Sequence, residues 1–124
     1  MKIAVPVKMK SENPAVAPLF GKAKWFAFIE NEKIEIVPNA CSGGKAVIDW
    51  LYSQNITTLF IQEMGQTPYD KIKEYGSIEV YHTGFERMLL LDSLSVFKKG
   101  GLMKLDDDNM KTVIEHHQKR HPAH

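Results

Sequence analysis

Residues Thr57 to Gln62 read Thr-Thr-Leu-Phe-Ile-Gln, an unbroken β-favouring run without a charge. A strand of that kind cannot present a face to water, so it belongs inside a sheet with helices on both sides. The flanking segments supply them. Upstream, Ala46, Val47, Trp50 and Leu51 recur with the spacing of one helical face, which predicts a helix over Gly44 to Gln54. Downstream, Thr67 before Pro68 suits an N-cap followed by a first-turn proline, and Gly76 suits a C-terminal stop, so a second helix is expected over Pro68 to Tyr75. Strands alternating with helices imply parallel pairing through right-handed crossovers.

The rest of the chain fits that frame. Lys2 to Val7 is a short apolar strand in which Pro6 limits ladder bonding. Lys24 to Glu30 and Lys33 to Val37 are strand-like runs separated by Asn31 and Glu32, a tight antiparallel hairpin. Ser77 to Tyr81 reads as the fifth strand. Thr83 with Glu86 forms a capping box expected to open a third helix, with Met88, Leu91 and Leu94 facing the sheet and Lys98 to Gly101 ending it. A last helix starts in Asp106 to Asp108 and ends in His116 to Arg120, its apolar side thin at Met110, Val113 and Ile114. The expected fold is an α/β three-layer sandwich around a five-stranded mixed sheet, strand two antiparallel. Residues 1–105 are expected to form the domain, and 106–124 a C-terminal helix and His-rich tail.

With 16 Lys and Arg against 15 Asp and Glu, the formal charge is +1. No global field draws in nucleic acid or anionic membrane, so an anionic ligand must be held locally. Cys41 is the one cysteine; it cannot form an intrachain disulfide, and one thiolate cannot supply the four ligands of an ordinary iron-sulfur site. The chain opens directly on strand pattern without a signal-type apolar stretch, and no apolar run approaches the ~20 residues of a membrane span. The expected location is the cytoplasm.

If strand two is the antiparallel member, the other strands end on one sheet edge, where open α/β sheets bind ligands. Three loops meet there: Lys8 to Gly21, Cys41 to Lys45 and Glu63 to Pro68. Cys41, Ser42, Gly43 and Gly44 precede a helix start, where glycine permits close approach and amides face an anion. This is not a magnesium-nucleotide P-loop, because Asn39 stands at the first glycine position and Ala46 where Ser or Thr is required. Cys41 is open to several readings: a thiolate ligand, a nucleophile or an inert thiol. His82, just after the fifth strand, is either a metal ligand on the same edge or a surface residue. Met64 offers a soft thioether and Glu63 a hard carboxylate. His116, His117, His121 and His124 crowd the last nine residues, a tail with affinity for divalent ions. The first strand carries no acidic residue, which argues against two-metal phosphodiester chemistry.

Taken together, MKIAVPV at the start, PLFGKAKWFAFIE from Pro18, CSGGKAVIDWL from Cys41 and EMGQTPYDKIKEYGSIEVY from Glu63 resemble the dinitrogenase iron-molybdenum cofactor biosynthesis family over about Met1 to Leu102. The resemblance implies a ribonuclease-H-like sheet. It also implies a non-enzymatic nitrogenase accessory-factor role: binding or carrying an iron-sulfur or iron-molybdenum type cluster between donor and acceptor proteins. On that reading Phe20, Gly21, Cys41, Ser42, Gly43, Gly44, Met64 and Gly65 bind the cofactor, and Cys41 and His82 are its soft metal ligands. Leu19-Phe20-Gly21 stands where the family pattern has His-Phe-Gly, and of the glycines after strand four only Gly65 is kept. A homodimer sharing two Cys41 thiolates is compatible with one cysteine per chain. The alternative functions are a metal-free small-molecule or nucleotide-binding regulatory module using Gly43, Gly44 and Thr67, and an enzyme with Cys41 as nucleophile.

Overall fold

The computed structural model describes residues 1–120. Its strands are β1 (Ile3–Val7), β2 (Trp25–Glu30), β3 (Lys33–Pro38), β4 (Thr58–Ile61), β5 (Glu79–His82) and β6 (Met103–Lys104). Its helices are α1 (Gly44–Ser53), α2 (Gln66–Tyr75), α3 (Leu90–Lys98) and α4 (Asp107–Arg120), with a single 3-10 turn at Phe20–Lys22. The strands form one open mixed sheet in the order β3-β2-β1-β4-β5-β6. β2 runs antiparallel to both β1 and β3, whereas β1, β4 and β5 are mutually parallel.

Period-two alternation splits the interior into two layers. Ala4, Phe26, Phe28, Leu59 and Ile61 point to one face and pack with α1, α2 and α4. Ile3, Val5, Ala27, Ile29 and Phe60 point to the other and pack with Leu90 and Leu94 of α3. β4 is therefore buried along its whole length, as its uncharged sequence demands. The hairpin between β2 and β3 turns on Asn31 and Glu32, both at positive φ (52° and 67°), the primed turn that matches strand twist.

The sheet departs from expectation in having six strands rather than five. β6 is two residues long and pairs antiparallel with β5, too short to leave a periodic signal. The third helix starts at Leu90, not at the Thr83 capping box. Thr83 instead extends the sheet, its amide and hydroxyl both donating to the Ile61 carbonyl at 2.9 and 3.2 Å. The segment after Gly84 then bonds to the long loop: the Val16 amide donates to the Met88 carbonyl and the Leu90 amide to the Pro14 carbonyl, both at 2.8 Å. This late start rotates the helix, so Leu90 is buried and Leu91 is 45% exposed. Similarly, α2 begins on a Gly65 N-cap and not on Thr67. Pro68 still lies in the first turn, where its missing amide costs no helical bond.

The long loop after β1 is ordered by this pairing. The Ala17 amide donates to the Pro6 carbonyl at 2.8 Å and the Lys8 amide to the Ala15 carbonyl at 3.0 Å. Val16 and Phe20 are buried as expected, and Leu19 is half-buried. Helix α4 lays Met110, Val113 and Ile114 into the same core as α1 and α2. Among the described residues, no helix is long and apolar enough to cross a membrane.

Candidate functional site

The exit of β4 organises the site. Glu63 is completely buried; its amide donates to the Pro18 carbonyl at 3.0 Å, and its carbonyl accepts from the Phe20 amide at 3.3 Å. These bonds pull the loop after β1 alongside the loop after β4. Gly21 is thereby pressed against α1: a Cβ at that position would stand 3.1 Å from the Gly44 nitrogen. Gly44 in turn lies against α2, where a Cβ would come within 2.9 Å of the Pro68 ring. Three chain segments meet so closely that a side chain at Gly44 would force a shift of the Pro68 ring, and one at Gly21 would be tighter than ordinary contact.

Between them lies a cavity of ≈ 260 Å³ at the C-terminal edge of the parallel strands. Phe20, Gly21, Gly43, Gly44, Met64 and Gly65 all line it, with Lys22, Pro68 and His117. Both α1 and α2 begin at its wall, on Gly43 and Gly65, and neither start has a side-chain cap or an acidic residue in its first turn. The first amides of a helix have no intrahelical acceptor and carry the positive end of its dipole. Two uncapped starts beside Lys22 bring positive potential to a cavity whose lining also includes the buried Glu63 side chain, itself beside His116. Gly43, at φ 90°, holds a backbone conformation that L side chains rarely adopt.

Beside the cavity is a layered set of rings. Nδ1 of His116 stands 2.9 Å from Oε1 of Glu63. The His116 ring stacks on Phe85 at 3.9 Å, and Phe85 meets the edge of His82 at 4.7 Å. Nε2–H of His82 donates to the Gln62 carbonyl at 3.0 Å. Burial, the largest influence, holds the His82 pKa below its ordinary value against the opposing effect of that hydrogen bond. The neutral imidazole is favoured.

The structure thus brings six of the eight expected cofactor-binding residues to one cavity and leaves the two proposed soft ligands outside its lining. Cys41 is half-buried against the core, its amide accepted by Oδ1 of Asn39 at 2.9 Å, and Ser42 is exposed. His82 is engaged with Gln62 and Phe85. Among the described residues no three His, Cys, Asp or Glu side chains are grouped to hold a metal ion. His121 and His124 lie outside the described residues. Sequence reasoning missed His117 as a cavity residue, although Met110, Val113, Ile114 and His117 follow the i, i+3, i+4, i+7 spacing of one helical face. Read as the continuation of the buried stripe and not as tail, that histidine faces the protein.

No curated protein sequence matches the chain. Among solved structures it is similar to an NMR structure of a Thermotoga protein, a NifB candidate of the DUF35 family. That similarity has a TM-score of 0.71 at 24% identity, covering 84% of this chain and 92% of the other. It is also similar to the apo form of the orange protein from Desulfovibrio gigas, with a TM-score of 0.74 at 19% identity over 84% and 92% of the two chains. At these identities the two structures establish the shared fold. The family model described as dinitrogenase iron-molybdenum cofactor matches residues 1–97, most of the chain, and the protein belongs to that family.

Proposed function

We propose that this protein is a non-catalytic carrier for an iron-sulfur or iron-molybdenum type cluster, or a precursor of one, held in the cavity between α1, α2 and the Phe20–Lys22 turn. The observation that carries this reading is the convergence of two uncapped helix starts, each without a first-turn acid, on a cavity that also holds the thioether of Met64. A metal-sulfur cluster of net negative charge is stabilised by such amides and dipoles. Because it brings its own sulfide ligands, it needs few protein donors, which suits a site with one soft sulfur and no grouped His, Cys, Asp or Glu triad among the described residues. Family membership supports the same cargo class.

The mechanism of such a carrier is binding and release. Gly21, Gly44 and Gly65 keep the backbone close to the cargo, Lys22 adds a positive charge at the rim, and the buried floor of Phe20 and Met64 limits water. Release to an acceptor needs no bond within the protein to break.

Anaerobic incubation with ferrous iron, sulfide and molybdate, followed by desalting, metal analysis and visible absorption, tests this reading. The wild-type chain should retain metal, and Gly65→Leu, which fills the cavity, should lose most of it. Failure of the wild type to retain iron or molybdenum, or equal retention by Gly65→Leu, contradicts the proposal. Thermal stabilisation by a nucleotide or inorganic phosphate, with none by the metal mixture, would favour the metal-free regulatory module instead.

A further inference from the structure

Helix α4 begins beyond residue 97, where the match to the family ends. It is nevertheless built into the site. Met110, Val113 and Ile114 are buried in the core shared with α1 and α2, Tyr69 of α2 donates its hydroxyl to Asp107 at 2.6 Å, and His116 meets Glu63 at 2.9 Å. These contacts anchor the helix at both ends and fix its rotation. One consequence is the placement of His117. Its Cδ2 and Nε2 atoms both lie 3.5 Å from the position a Gly65 Cβ would occupy, so this edge of the ring stands in van der Waals range of the glycine at the cavity wall.

We infer that His117 is a ligand delivered to the cavity from outside the family-matched segment, giving this chain an imidazole donor beside Met64 for a metal-sulfur cargo. The inference rests on the carrier reading above. Its chemistry is consistent with the cargo: an imidazole nitrogen and a thioether sulfur are donors of borderline and soft character, the kinds that bind the metals of a metal-sulfur cluster. The half-buried position of His117 and its helical support restrict its rotamers, which lowers the entropic cost of holding a metal.

The test uses the full chain labelled with 15N-histidine, reconstituted anaerobically with ferrous iron and sulfide and reduced to a paramagnetic state. Pulsed electron paramagnetic resonance and iron retention are then compared among wild type, His117→Ala and His117→Gln, each checked for unchanged apo melting. The expected result is a histidine nitrogen hyperfine coupling in wild type that both variants lose, with retention weakened at least about tenfold. His117→Gln keeps most of the side-chain bulk and decides the matter should the alanine variant melt early. Loading of wild type without a histidine coupling, or a coupling and affinity that persist in both variants, overturns the role of His117 and leaves the carrier reading standing. A wild-type chain that binds no iron overturns both.

Discussion

Gly44 and Gly65 line the same cavity yet should respond differently to the same substitution. In Gly44→Ala the new methyl would stand 2.9 Å from Cγ and 3.1 Å from Cβ of the Pro68 ring, which cannot rotate away. That overlap outweighs the helix-propensity gain of up to about 1 kcal/mol, for a net destabilisation of about 1 to 2 kcal/mol by urea denaturation. Gly65→Ala meets only His117, at an ordinary 3.5 Å, and should cost less than about 1 kcal/mol, chiefly the N-cap preference of glycine. Equal losses in the two variants would contradict the close packing of α1 on α2. His82 supplies a pH prediction. Its pKa lies below the ordinary 6.5 in the folded chain, so the unfolded chain takes up the proton first as pH falls. The stability it contributes is complete above about 6.5 and declines on acidification through the folded value. His82→Phe should therefore flatten the fall in denaturation midpoint between neutral and mildly acidic pH relative to wild type; an unchanged slope would show that His82 is not the group responsible. The glycines and Met64 were legible in the sequence because close approach and softness belong to residue type. Whether Cys41 and His82 reach the cavity depends on loop paths that no local pattern encodes.

At the scale of elements, β1 to β5, α1 and α2 follow from periodicity and from the glycine that ends α2, at φ 71°. The start of α3 does not, because a strong local signal, Thr83 with Glu86, loses to the sheet: Thr83 has a partner in Ile61 that is visible only once β4 and β5 are paired. Helix α4 shows the converse. Its thin apolar side is weak in isolation, yet Met110, Val113 and Ile114 dock it together with a polar clasp from α2. The Asp107 carboxylate is held below the usual range first by the Tyr69 hydroxyl and then by Lys73. Tyr69→Phe should lower the melting temperature by a few degrees and increase hydrogen exchange along α4 more than along β4. Uniform exchange across both elements would mean that the clasp does not control the docking of α4.

At the scale of the molecule, the helices α1, α2 and α4 share one core layer and α3 the other, with β4 between them. Removing a side chain from that strand should therefore weaken the protein as a unit: Leu59→Ala is expected to cost roughly 2 to 5 kcal/mol in a single transition, whereas a biphasic melt would show α4 separating from the rest. The architecture places its cavity where parallel strands end, and this much follows from α/β topology before any residue is considered. What residue identity adds is the pair of uncapped helix starts beside Lys22 and the thioether of Met64. The most direct test is an amide nuclear magnetic resonance spectrum of the 15N-labelled chain before and after anaerobic loading with ferrous iron, sulfide and molybdate. Shifts and broadening should centre on the amides of Gly21, Gly44 and Gly65; an unchanged spectrum, or changes centred on the apolar groove around Ile34 and Leu91, would contradict the assignment of the cavity as the cargo site.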